Sequence, residues 1–172
     1  IASDSNTDQI SVLGSQRVHI SNVFVRGHDD GIVIKTGASV KGYAVKDILV
    51  EDSVIWTDVG HSLAIGFEIL EELGDVTFRN IDVLHVDGGD GACPIDVVNI
   101  DNGLVHDLTF SDIRIEGDLR KLFRLQIMKS KHSVEKNIPG RIRNVVLENI
   151  DVVNSPFPAS IFKGFDKEHG ID

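Results

Sequence analysis

Val76-Thr77-Phe78-Arg79-Asn80-Ile81-Asp82-Val83 and Leu108-Thr109-Phe110-Ser111-Asp112-Ile113-Arg114-Ile115 carry one pattern twice. An apolar–polar–apolar run meets a polar residue, then Asn or Asp, after which the alternation resumes. Three further stretches fit: Val18-His19-Ile20-Ser21-Asn22-Val23-Phe24-Val25, Ala44-Val45-Lys46-Asp47-Ile48-Leu49-Val50 and Val146-Leu147-Glu148-Asn149-Ile150-Asp151-Val152. Period-2 alternation rich in β-branched residues argues for short strands, and an Asx between them tolerates a tight bend and bonds its own backbone. A strand unit repeated this way cannot bury its apolar face alone and stacks on its neighbours.

The Asx positions 22, 47, 80, 112 and 149 are separated by 25, 33, 32 and 37 residues. A constant strand core with a variable step means loops of different length leaving one side of a solenoid. No stretch sustains a 3.6-residue apolar period, and Gly74, Gly103 and Gly140 each close a loop ahead of a strand pair. The expected fold is therefore all-β, a parallel β-helix of about five to six coils forming one domain over residues 1–172. A β-sandwich does not repeat its sequence in this way. In the solenoid Val23, Ile48, Ile81, Ile113 and Ile150 should form one apolar column at about 4.8 Å per coil. Both ends read as cut. Residue 1 runs straight into a coil, and Phe165-Asp166-Lys167-Glu168-His169-Gly170-Ile171-Asp172 reads as the approach to another strand pair. The expectation is a fragment of a longer chain, able to self-associate through its open coil ends.

Composition sets limits. A net charge of −10 argues against nucleic acid or an anionic membrane surface as partner, and no apolar run approaches the roughly 18 residues of a membrane span. The single Cys93 excludes an intrachain disulfide and reads as a small buried hydrophobe. No Cys/His spacing suggests a metal site, and no cofactor is expected.

The chemistry-bearing residues gather near the start of the chain. Asn6-Thr7-Asp8 is followed by His28-Asp29-Asp30-Gly31 and then by Gly60-His61-Ser62. Asp8 and Asp29 lie 21 residues apart, about one coil, so stacking can bring Asp8, Asp29 and Asp30 onto one face with His61 in the next coil. Adjacent strand residues point to opposite faces, so Asp29 and Asp30 reach the same cleft only at a bend, for which Gly31 is suited. Lys35 lies close enough to pair with Asp30 or touch a ligand. Trp56 offers a ring on which a sugar could stack, and Glu68 and Asp96 are further candidates for sugar hydroxyls. His85, His106 and His132 read as loop or surface residues.

In this order Asn6-Thr7-Asp8, Asp29-Asp30, Ile34-Lys35 and Gly60-His61 resemble the motifs of the polygalacturonase-type glycoside hydrolases, inverting enzymes built on a right-handed parallel β-helix. The remainder, through Cys93-Pro94-Ile95-Asp96 and Leu122-Phe123-Arg124-Leu125 to Ile161-Phe162-Lys163-Gly164-Phe165-Asp166, resembles a bacterial branch of that group. The resemblance implies a polysaccharide or oligosaccharide substrate and a secreted or periplasmic location. It also assigns roles: Asp29 as the acid that protonates the leaving oxygen, Asp8 and Asp30 as the pair that holds and deprotonates water, and His61 as a partner of the acid or of a sugar hydroxyl. Clustered carboxyls keep one proton because each charge disfavours the next ionisation.

The chain departs from those enzymes at three places. Gln9 and Ser62 stand where they carry Gly, and the stretch Pro94-Ile95-Asp96-Val97-Val98-Asn99, which corresponds to the Arg-Ile-Lys that grips a uronate carboxylate, offers an acid instead. An acid there repels a galacturonate and shifts the expected substrate to a neutral glycan, as in the similar dextranase-type β-helices. Two other classes share the scaffold: calcium-dependent polysaccharide lyases, in which Asp8, Asp29 and Asp30 would hold Ca²⁺, and non-catalytic glycan-binding or structural solenoids.

Overall fold

The computed structural model describes residues 6–155 and 158–172, so the first residues of the chain, expected to run directly into a coil, lie outside it. In chain order the strands are β1 (Ile10–Leu13), β2 (Gln16–Ser21), β3 (Phe24–Gly27), β4 (Ile32–Thr36), β5 (Val45–Thr57), β6 (Leu63–Ile69), β7 (Leu73–Val86), β8 (Ile95–Asn99), β9 (Leu104–Glu116), β10 (Lys121–Ile127), β11 (Arg141–Val153) and β12 (Ala159–Lys163). Two 3-10 turns, Ala38–Val40 and Gly89–Gly91, are the helical elements among the described residues. None is long and apolar enough to cross a membrane.

The strands alternate between two sheets. One runs β1-β4-β6-β8-β10-β12 and the other β2-β5-β7-β9-β11, with β3 beside the second half of β5. Every strand pair is parallel. A chain that visits two parallel sheets in turn and advances one place at each visit is a parallel β-helix, as the repeat predicts.

Register explains the core. In the first sheet Ile32, Leu63, Ile95 and Phe123 stack inward, as do Ile34, Ile65, Val97 and Leu125. In the second, Val50, Phe78 and Phe110 stack, and the two Phe rings lie 5.1 Å apart and nearly parallel. Alternation then turns Val33, Ala64, Asp96 and Arg124 to the outer face of the first sheet. Val33, Ala64 and Asp96 are nonetheless buried, which marks that face as the covered floor of a cleft.

Each long strand is kinked twice by residues in the left-handed region. The first kink column is Arg17, Asp47, Asp75, Asp107 and Asn144, and the second, five residues further on, is Asn22, Asp52, Asn80, Asp112 and Asn149, all with φ between +50° and +60°. Asx residues suit this conformation because their short polar side chains bond locally. Here they also bond one another between coils: Asn80 Nδ2 donates to Asp52 Oδ1 at 2.5 Å, and Asn149 Nδ2 to Asp112 Oδ1 at 3.1 Å.

This register corrects one expectation. Asp47 belongs to the first kink column and Asp52 takes its place in the second. Ile48 therefore stacks with Val18, Val76 and Leu108, while the column of Ile81, Ile113 and Ile150 continues through Ser53. Val23 lies beside Ser53, whose hydroxyl accepts its N–H at 3.3 Å and donates to Glu51 O at 2.7 Å. Both kinks are followed by the same alternation, and a buried serine in an apolar column hides the true match.

Candidate active site

The site forms where the second sheet hands the chain to the first. Three such turns carry Asp29-Asp30, His61 and Cys93, and Asp8 lies just ahead of β1. The parallel ladder continues through these turns: Gln9 N donates to Asp30 O (2.9 Å), Gly31 N to His61 O (2.8 Å) and Ser62 N to Cys93 O (3.4 Å). Residues remote in sequence thus stack coil on coil. Two glycines permit the fit. A Cβ on Gly31 would lie 2.7 Å from Ser62 O, and Gly60, at φ +93°, packs so close that a Cβ would lie 2.8 Å from the Asp29 carbonyl carbon.

Asp8, Asp29 and Asp30 meet: one carboxylate oxygen from each lies within 4.8 Å of the others. Asp8 Oδ2 accepts from Lys35 Nζ at 3.0 Å and from Ser11 Oγ at 2.9 Å. Asp29 Oδ1 accepts the Asp30 N–H at 2.9 Å, and Asp30 Oδ1 accepts the His61 N–H at 2.8 Å. Burial pushes the Asp30 carboxyl up from its ordinary value, and the charges of Asp8 and Asp29 add to this against the lowering effect of His61. Burial works against the Lys35 ammonium, yet the Asp8 carboxylate and the nearby Glu68 and Asp30 hold its pKa above the usual lysine value.

His61 enters the site through its main chain. Its Nδ1 accepts the Cys93 N–H at 3.2 Å, and its Nε2 lies 3.5 Å from Asp96 Oδ2. The Arg124 guanidinium closes the other side, with Nη2 3.2 Å from Nε2. Both ring nitrogens are thereby occupied within the protein. The ring is thus packed among Cys93, Asp96 and Arg124, where the sequence reading set it beside the acid or a sugar hydroxyl.

Asp96 is also recast. Its side chain is 2% exposed, and its oxygens accept Arg124 Nε at 2.6 Å and Nη2 at 2.8 Å, so it holds Arg124 and has no edge left for a sugar. Asp96 raises the Arg124 pKa against the cost of burying the guanidinium, and burial beside Asp96 pushes the Cys93 thiol up, consistent with its reading as an inert buried residue. Trp56 is not gathered with the carboxylates. Its Nε1 donates to Asp58 Oδ1 at 2.8 Å, Arg26 lies over its ring at 4.7 Å and His85 leans on it at 5.0 Å. Glu68 does lie along the cleft, lining with Lys35 a cavity of 290 Å³.

Sequence reasoning gave no site role to Arg124, named only within a motif, or to Phe67. Arg124 comes from the coil after Asp96, in direct register with it, and passes 5.3 Å from the Phe67 ring centre. The signal was a lone acid in the otherwise apolar or amide strand Ile95–Asn99, since a buried charge needs a partner. Phe67 follows Gly66, is 39% exposed and sits edge-on to His61.

Three carboxyls of unequal environment beside a lysine, at the mouth of a covered cleft, suit acid/base chemistry on a bound ligand. No curated protein and no solved structure matches the chain. The family model described as glycosyl hydrolases family 28 matches residues 1–159, most of the sequence, including Asp8, Asp29, Asp30 and His61. The chain therefore belongs to glycosyl hydrolases family 28.

Proposed function

We propose that this protein hydrolyses a glycosidic bond of a neutral polysaccharide or oligosaccharide with inversion at the anomeric carbon. Asp29 gives the proton to the leaving oxygen, and Asp8 and Asp30 hold and deprotonate the attacking water. The convergence of the three carboxylates within 4.8 Å carries this reading. Their closest oxygens lie nearer than the about 6.5–9.5 Å between acid and base in most inverting enzymes. Inversion is what the resemblance to the polygalacturonase-type enzymes implies. Asp8 Oδ2 is tied to Lys35 and Ser11, an arrangement suited to orienting water.

Charge supports a neutral glycan. Asp8, Asp29, Asp30 and Glu68 outnumber Lys35, and Asp96 balances the charge of Arg124. A chain with a carboxylate on every ring meets net repulsion there. The Lys35 ammonium on Asp8 Oδ2 also disfavours a calcium-dependent lyase, because it already sets one positive charge beside the carboxylates.

A reducing-end assay on dextran and on polygalacturonate, with and without a chelator, tests the reading. Faster release from the neutral polymer, insensitive to chelator, is expected. Preference for polygalacturonate overturns the neutral-glycan assignment, and a chelator-sensitive, ultraviolet-absorbing unsaturated product overturns hydrolysis.

A further inference from the structure

The loop spanning residues 128–140, between β10 and β11, comes back beside the first sheet, where His132 and Val134 line a cavity with Lys35 and Glu68 of earlier coils. It places His132 between two cavities. One, of 290 Å³, holds Lys35 and Glu68; the other, of 150 Å³, is lined largely by Phe67, Val98, Ile100 and Met128 with Arg124 at its side. The first touches the lysine bonded to Asp8, and the second touches the arginine that packs on His61. Each cavity is thus one side chain away from the carboxylate centre or its His61 neighbour, and His132 is the residue they share.

The loop is built to stay there. Asp101 is fully buried, and its Oδ1 accepts the N–H groups of Val134 at 2.6 Å and Glu135 at 2.8 Å. Ser133, itself buried, donates to Ile100 O at 2.7 Å. Lys129 Nζ donates to Glu135 O at 2.7 Å and Ile138 O at 2.6 Å, closing the loop on itself. A loop held by a buried carboxylate and a lysine on two carbonyls carries its exposed side chain at a fixed place.

We propose that this loop builds a second sugar subsite beside the carboxylates, with the Phe67 ring as its platform, His132 as its wall and Asp101 as the positioning residue that holds the loop closed. The chemistry follows from the lining. The C–H face of a neutral pyranose is apolar and packs on an aromatic ring, while its edge hydroxyls need a few donors and acceptors, here the His132 imidazole and the outer edge of Arg124. The occupant is a ring of the same glycan chain that is cleaved next door, so the proposal rests on the hydrolase reading.

Calorimetric titration of the Asp29→Asn variant, which binds without cleaving, with short isomalto-oligosaccharides from the disaccharide upward tests it. Oligogalacturonides of matching length form a second arm. Affinity should rise with length, and adding Phe67→Ala or His132→Ala should cancel that rise, with a loss of about ten-fold or more at the longest member and less at the disaccharide. Asp101→Ala should behave like His132→Ala. Asp101→Asn, which keeps the Oδ1 acceptor, should restore the wild-type length dependence; a residue needed only for folding would instead move the melting curve and leave that profile alone. Equal losses at every length, no loss, or no binding by either series overturns the subsite. The two readings fail separately: a wild-type chain that releases no reducing ends while binding keeps its length profile defeats hydrolysis alone, and a hydrolysing chain with a flat profile defeats the subsite alone.

Discussion

Asp96 illustrates what one residue hides in a sequence. As an acid standing where related enzymes carry cations, it reads as a repulsive patch open to substrate. Its buried carboxylate is instead spent on Arg124, whose arrival depends on strand register across 28 residues, which no local pattern reports. Removing one partner of a buried pair leaves the other charge uncompensated. Asp96→Ala should therefore cost about 3–5 kcal/mol in denaturant unfolding. The double variant Asp96→Leu with Arg124→Met should recover much of that stability, since an apolar pair of similar volume carries no desolvation penalty. Asp30 makes a prediction of opposite sign. Its folded pKa is raised above 3.8, so its contribution is full below that value and is lost as pH rises through the folded pKa. Asp30→Asn, which keeps an Oδ1 acceptor for the His61 N–H, should raise the melting temperature near neutral pH. The difference from wild type should shrink toward zero on acidification to about pH 4, as followed by calorimetry.

At the scale of the element, the decisive device is the pair of left-handed kinks set five residues apart in each long strand. The sequence makes four members of the second column legible, Asn22, Asn80, Asp112 and Asn149, because each is an Asx between clean alternations. It misplaces Asp47 because the first column also uses Asx and is followed by the same alternation. Arg17 in that first column has no Asx signal at all. Asn80→Ala should destabilise the chain on two counts: a left-handed alanine costs roughly 1–2 kcal/mol, and the bond to Asp52 contributes about 1 kcal/mol more. Asn80→Gly loses the bond but keeps the conformation, so its unfolding midpoint should fall between alanine and wild type. Equal midpoints for the two variants would mean that the kink conformation contributes nothing.

Over the whole molecule, the solenoid was legible because repetition is a long-range signal written locally: each unit states its own strand pattern, and stacking follows from the need to bury it. The carboxylates were legible for the same reason. Asp8, Asp29 and Asp30 sit at equivalent turns of successive coils, and the ladder through those turns brings them together. The cleft walls were not. Arg124 and the 128–140 loop arrive from later coils, and their place depends on bridges such as Asp101 to Val134 that join parts of the chain with no shared pattern.

The central claim is that these stacked turns form a hydrolytic centre in which Asp29 supplies the proton. Its most direct test is the rate of reducing-end release by Asp29→Asn, compared with wild type at equal folded fraction on the neutral polymer that wild type cleaves best. The amide keeps the shape and cannot deliver a proton, so the rate should fall by about 10²–10⁴-fold while glycan affinity is retained. Release at the wild-type rate would contradict the account.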